Sequence, residues 1–380
     1  MSKFLSWMVK VLALALLQVR YPAATLTETK TVYGQDPSYP IYQEYRYAYD
    51  TYGYLFLSEN TGADDREEAG VIPAWQLVGE TDGAGAGGES GAGAGGTGAE
   101  GAGVDDGSGD PEAVQAALVG RLAAGTSITL AQLEDYDYLM KHFFSVHTST
   151  TAGRDVMKAD AFLGTDLTLE KDSSVPQILI YHTHSQERYA DFSSANPGAT
   201  VVGNGEYLTE LLRAKGWNVI HDTGTYDIQG GKLDRNRAYT YALEGITRIL
   251  QENPTIQVIL DLHRDGVKES LHLVHEVNGK PTANIMFFQG MSRTPEGNIE
   301  YLPNPYLEDN LAFSFQMQLA AAGRYPGLTR KIYLKGLRYN LHLRPRSVLI
   351  EVGAQTNTSE EARNAMEPLA EVLDIVLQGS

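Results

Sequence analysis

Residues 175–380 predict an α/β fold: a mostly parallel sheet with helices on both faces. Two observations carry that prediction. From Val175 onward, short apolar runs alternate with longer amphipathic ones, the pattern of repeated β–α units. Three of the short runs also end in ionisable side chains, at the strand ends where open parallel sheets hold their ligands.

Each element has its own signal. "QILIY" (177–181) reads as a strand and runs straight into "HTHSQE". "GEYLTELLRAKG" is an amphipathic helix carrying Leu208, Leu211 and Leu212 on one side and closed by Gly216. "WNVIHD" is the next strand, and "NRAYTYALEGITRILQENP" is a helix stopped at Pro254. "TIQVILDL" is a strand, "LEDNLAFSFQMQLAAAGRYPG" a helix ending before Pro326, and "RSVLIEVG" a strand. The final helix begins near Thr358, which has Glu361 at capping-box spacing. Consecutive parallel strands with helical crossovers imply a sheet covered on both faces.

Ahead of this domain the chain changes character. Residues 1–24 place Lys3 and Lys10 before an apolar run, with small residues at Ala23 and Ala24, and read as a signal peptide or an N-terminal membrane anchor. Residues 25–78 are rich in tyrosine and read as an extracytoplasmic segment. Residues 79–109, "GETDGAGAGGESGAGAGGTGAEGAGVDDGSG", have almost nothing to bury and predict a flexible linker. Residues 110–174 predict a small accessory region that opens on a helix, with Asp110 as N-cap and Pro111 at its first position.

Composition excludes several classes. A formal charge of −18 argues against a nucleic-acid binder, because phosphate recognition requires clustered Lys and Arg. The absence of cysteine excludes a disulfide scaffold, thiolate catalysis and cysteine zinc sites. Any transition metal must be held by nitrogen and oxygen.

The strand ends supply such a set. The first offers His182, His184 and Glu187; a later one offers Asp261, His263, Arg264 and Asp265; the last offers Glu351. If those strands are parallel, all three clusters share one edge. Two imidazoles and a carboxylate make a zinc set with one position left for water, and a further carboxylate nearby could move that water's proton. Rival motifs fail: "HRD" lacks the rest of a kinase signature, and "DTG" (222–224) has no second copy and reads as a turn. His272 and His275 fall on opposite faces of an extended segment.

Taken together, "ILIYHTHSQERY", "GEYLTELLRAKGWNVIHDTGTYD", "ENPTIQVILDLHRDG", "RYPGLTRKIYLK" and "RYNLHLRPRSVLIEVGAQTNTSEEA" resemble the stage II sporulation protein P family. The closing segment is also distantly similar to the zinc-dependent N-acetylmuramoyl-L-alanine amidases. The resemblance implies a peptidoglycan hydrolase of sporulation engulfment, cutting the amide between the muramoyl lactyl group and L-alanine, with endopeptidase activity on cross-links. It implies Zn2+ as cofactor, stage II sporulation proteins D and M as partners, and the extracytoplasmic face of the mother-cell membrane as location, or secretion if the N-terminus is cleaved.

Residue by residue, the resemblance implies His184 and His263 as metal ligands, with His182 behind His184 in a supporting role. The carboxylate ligand is Glu187 in the motif or Glu206 at the start of the next helix, with Glu187 preferred. Asp261 is an alternative or supporting ligand. Glu351 matches the catalytic glutamate. Arg264 is a candidate for a substrate carboxylate or for pairing with Asp261 or Asp265, and Asn340 is a candidate substrate contact that stands beside Leu341, where the family pattern suggests a polar residue. The rival functions are a non-catalytic wall-binding scaffold and a metal-dependent peptidase or deacetylase on the same polymer.

Overall fold

A computed structural model describes residues 110–379 apart from Asn236. The predicted signal or anchor (1–24), tyrosine-rich segment (25–78) and linker (79–109) lie outside the described residues. Among the described residues, no helix is long and apolar enough to cross a membrane.

The framework is a seven-stranded sheet. Its strands are β1 (Phe144–Val146), β2 (Ile178–Tyr181), β3 (Val219–His221), β6 (Val258–Asp265), β9 (Ile285–Gly290), β12 (Ile332–Lys335) and β13 (Ser347–Ala354). Three small hairpins supply the other strands: β4 (Ile228–Gln229) with β5 (Lys232–Leu233), β7 (Val274–Val277) with β8 (Lys280–Ala283), and β10 (Arg293–Thr294) with β11 (Gly297–Asn298). The order across the sheet is β1-β12-β9-β13-β6-β2-β3. All neighbours are parallel except β9 and β13, which meet antiparallel with Leu349 opposite Phe288. The sheet is thus mostly parallel, and β13, β6, β2 and β3 share one direction while β9, β12 and β1 run the other way.

Helices cover both faces. Even-numbered side chains of the central strands (Ile178, Ile180, Leu260, Leu262, Val348, Ile350) point into the larger core, under α5 (Val201–Ala214), α7 (Leu307–Arg324) and α8 (Ser359–Gln378). Odd-numbered ones (Leu179, Tyr181, Ile259) meet Ala242, Ile246 and Leu250 of α6 (Ala238–Glu252) on the opposite face. Period-two alternation makes this division automatic, and puts Asp261, His263 and Glu351 on the α6 side.

Local signals explain several boundaries. Thr358 caps α8, and its capping box with Glu361 is complete in both directions. Asp110 caps α1 (Pro111–Leu122), with Pro111 at the first position. The strand expected over 255–262 instead runs through Asp265, so "HRD" is extended backbone inside β6 rather than a loop beyond it. Residues 110–174 also hold α2 (Leu130–Glu134), α3 (Tyr136–Phe143) and α4 (Ala159–Gly164), and contribute the edge strand β1. Their Phe143, Phe144 and Phe162 pack rings against Phe315 of α7, so this region shares the larger core of the sheet.

Candidate metal centre

The site forms where β2, β6 and β13 reach their carboxyl ends. After Tyr181 the chain turns tightly, and the Glu187 amide donates to the His184 carbonyl at 3.1 Å. That turn brings Glu187 back beneath His184, with His184 Nδ1 3.7 Å from Glu187 Oε1. From β6, His263 Nδ1 lies 3.5 Å from Glu187 Oε2. One ligand atom from each of His184, Glu187 and His263 lies within 4.8 Å of the others. The two imidazoles meet edge to face, their centroids 5.1 Å apart.

The supporting bonds fix this arrangement. Asp261, fully buried, accepts from the Thr183 amide at 2.9 Å and the Thr183 hydroxyl at 2.7 Å. Its Oδ1 also contacts His263 Nε2 at 2.8 Å. The charged ring of His263 thus stands between two carboxylates, Nε2 toward Asp261 and Nδ1 toward Glu187, and in the ring's neutral form Asp261 favours the proton on Nε2. Burial opposes charge on all three groups, but their mutual attraction overcomes it. It holds His263 well above the ordinary histidine range, Glu187 well below the carboxylate range, and Asp261 below its usual value. Two buried carboxylates flanking one imidazole make a place built for positive charge.

His182 is buried one step away. Its Nδ1 donates to the Leu262 carbonyl at 2.9 Å, so its Nε2 accepts from His221 Nε2, also at 2.9 Å. Burial pushes its pKa down to about 3, which keeps it neutral. His182 therefore steadies the β6 backbone beside His263 rather than orienting His184. Glu206 is exposed on α5, where its charge acts on His221, and it stays apart from the group that Glu187 joins.

Glu351 enters from β13, in register with His263 across the parallel pair. A bulge follows immediately, between Glu351 and Ala354, with Gly353 at φ +58°. A Cβ at Gly353 would meet Asn357 Oδ1 at 2.7 Å and Ala283 Cβ at 2.9 Å, so this turn in "EVGA" needs glycine.

Two expected substrate contacts are committed elsewhere. Arg264 Nε donates to the Arg188 carbonyl and its Nη1 to the Asp265 carbonyl, so it pairs with neither the Asp261 nor the Asp265 carboxylate. The Asp265 carboxylate instead holds Arg330 at 2.8 Å in a buried ion pair. Asn340, buried at φ +57°, donates to the Tyr239 carbonyl at 2.8 Å, and the Tyr239 ring packs edge to face on His184. Asn340 thus reaches the site through the Tyr239 ring. The "DTG" segment is a turn, with the Gly224 amide donating to Asp222.

Residues 135–374, more than half of the chain, match the profile of the family described as stage II sporulation protein P. The chain belongs to the stage II sporulation protein P family. A curated family member, stage II sporulation protein P of Bacillus subtilis (strain 168), is 26% identical over 217 residues, with 51% of this chain and 49% of the relative covered. The chain spans about half the length of that curated relative. Among solved structures, an N-acetylmuramoyl-L-alanine amidase of Nostoc punctiforme is similar at 12% identity, with a TM-score of 0.33, covering 52% of this chain and 94% of the amidase. The CwlD amidase from Clostridioides difficile, solved with the GerS lipoprotein, is similar at 15% identity with a TM-score of 0.34, covering 53% and 97%.

The donor set of this family member fits a divalent transition metal. The chain has no sulfur ligand from cysteine, and His184, Glu187 and His263 offer two nitrogens and a carboxylate. The buried Nε2 of His184 has no hydrogen-bond partner, an unmet demand that a coordinated group would meet. Sequence reasoning missed Arg235, whose Nη2 donates to Glu187 Oε1 at 3.3 Å, and Tyr239. It also missed Asp227, which accepts from the Ser185 hydroxyl and the Gln186 amide and so braces the "HTHSQE" loop. Asp227 and Arg235 flank two-residue strands with no periodic signal, whereas Tyr239 lies in the expected helix, whose pattern does not reveal that its ring meets His184.

Proposed function

We propose that this protein is a zinc-dependent N-acetylmuramoyl-L-alanine amidase acting on peptidoglycan during sporulation engulfment, with peptide cross-links as a second target. The observation that carries it is the meeting of His184, Glu187 and His263 with Glu351 held in register beside His263. His184, Glu187 and His263 hold the metal. When bound, zinc lowers the pKa of its water and polarises the amide carbonyl. Glu351 takes the proton from the attacking water and returns it to the departing amine. Asp261 keeps the His263 proton on Nε2, so that Nδ1 stays directed at the centre. Tyr239, held by Asn340, walls one side of His184.

Family membership supports the sporulation setting. In this proposal, residues 1–24 tether the protein to the extracytoplasmic face of the mother-cell membrane, beside stage II sporulation proteins D and M. The test is to incubate the zinc-loaded chain with purified peptidoglycan and weigh the products. Free stem peptides together with intact glycan strands are the expected result. Muropeptides merely shortened or deacetylated would replace the amidase with a peptidase or deacetylase, and no products at all would leave a wall-binding scaffold.

A further inference from the structure

We infer that Arg235 is the residue that selects the substrate, by gripping a carboxylate on the peptide side of the scissile amide. The inference rests on the amidase reading of the same site and names what that site recognises. Arg235 follows the β4–β5 hairpin, whose turn glycines Gly230 and Gly231 take φ of +55° and +77°, the paired left-handed geometry of a tight hairpin. The base of the hairpin is fixed. Asp227, fully buried, accepts from the Ser185 hydroxyl at 2.8 Å and the Gln186 amide at 3.0 Å, while the Asp234 amide donates to the Asp227 carbonyl. The root of Arg235 is therefore anchored to the loop that carries His184 and Glu187.

The guanidinium itself stands at the mouth of the site. Its side chain is 43% exposed, and among the described residues its bond is to Glu187 Oε1 through Nη2 alone. A guanidinium has five donors in a planar fork, so a second, bidentate partner can be taken from solvent. Three other arginines near the site are placed differently. Arg264 donates to two backbone carbonyls, Arg330 is buried against Asp265, and Arg188 lies 4.0 Å from the Phe192 ring centroid.

The site's own charge makes a cation at this point useful. Glu187, Asp261 and Glu351 gather at the strand ends of a chain with net charge −18. A guanidinium fixed at the mouth offers an incoming peptide carboxylate a directed partner that the carboxylates of the site do not. A stem peptide carries such an anion on its second residue, D-isoglutamate, and loses it when that residue is amidated. Arg235 therefore distinguishes the two forms.

The experiment compares N-acetylmuramoyl-L-alanyl-D-isoglutamate with its D-isoglutamine counterpart, using the full chain. Wild-type protein is expected to favour the free carboxylate by about 10- to 100-fold in kcat/KM, the range of a charge-assisted hydrogen bond. Arg235→Gln is expected to lose that preference through KM while keeping its metal content, and Arg235→Lys to keep part of it. Were Arg235 only a structural partner of Glu187, Arg235→Gln would change metal retention and leave the preference intact, and that result overturns the inference. Equal use of both substrates by wild type overturns it too. Binding of the same two compounds to Glu351→Gln, with and without Arg235→Gln, supplies a readout independent of hydrolysis. Carboxylate-selective binding that vanishes with Arg235 upholds the inference even where wild type cuts neither compound and the amidase reading fails.

Discussion

Glu351 and His263 are direct partners in the register of two parallel strands, side by side on the face that α6 covers. Neighbouring strands lie about 4.8 Å apart, so the sheet itself sets the distance between Glu351 and His263, the proton carrier and metal ligand of the proposed mechanism. Each residue sits in a continuous strand of eight residues, which makes the pair more rigid than a loop-borne one.

Glu351→Gln therefore tests the chemistry separately from the fold. The amide keeps the size of the side chain and cannot accept the water's proton. Hydrolysis should fall about 100- to 10,000-fold. Metal content and the unfolding midpoint should match wild type, as read by elemental analysis and calorimetry. Activity within a few-fold of wild type would remove Glu351 from the proton path.

Asp261→Asn addresses the residue behind the ligand. Asp261 joins the Thr183 amide and hydroxyl to His263 Nε2. An amide in its place no longer holds the imidazole proton by charge, so His263 loses its fixed tautomer. Zinc affinity should drop about 10- to 100-fold, the usual effect of losing a carboxylate behind a histidine ligand. Competition with a chromophoric chelator measures it, and an unchanged dissociation constant would count against the scheme.

How much of this was legible beforehand differs from strand to strand. β2, β6 and β13 announce themselves as apolar runs ending in His, Asp or Glu, and their parallel order follows from the helices between them. β9 and β12 do not. "IMFFQG" is buried along its whole length and has no alternation, and it follows a hairpin instead of a helix, so nothing in its pattern reveals a reversed direction. The choice between Glu187 and Glu206 was likewise hidden, since it turns on one backbone bond, Glu187 to His184, that folds the motif back on itself. Arg235 sits just past a two-residue strand, where no periodicity exists to read.

Acid sensitivity should trace in part to Glu361. Partial burial opposes its charge, but His272, Asn357 and the Thr358 amide together hold its pKa below the ordinary carboxylate value. In the window between its folded and unfolded values the unfolded chain binds more protons, so stability rises with pH there and falls on acidification. Glu361→Gln keeps the capping-box geometry and removes the charge. The variant should be less stable than wild type at pH 7, and the gap should close as pH drops below about 4.5, the ordinary carboxylate value. Urea titrations at several pH values would show it, and a gap independent of pH would assign the difference to packing alone.

Gly205→Ala probes the packing behind the candidate metal centre. A Cβ at this position in α5 would stand 2.6 Å from His182 Nε2 and 2.7 Å from His221 Nε2. Both rings are fixed, His182 by the Leu262 carbonyl and His221 by His182, so neither can yield without breaking a hydrogen bond. Overpacking of this kind costs about 1–3 kcal/mol, although alanine is the better helix former in isolation. Because His182 holds the carbonyl just before His263, the strain should also reach the centre as weaker zinc binding. Denaturant unfolding and chelator competition on the same sample test both effects. A variant as stable as wild type, with zinc affinity intact, would show that α5 can shift outward freely and that the His182–His221 pair does not steady His263.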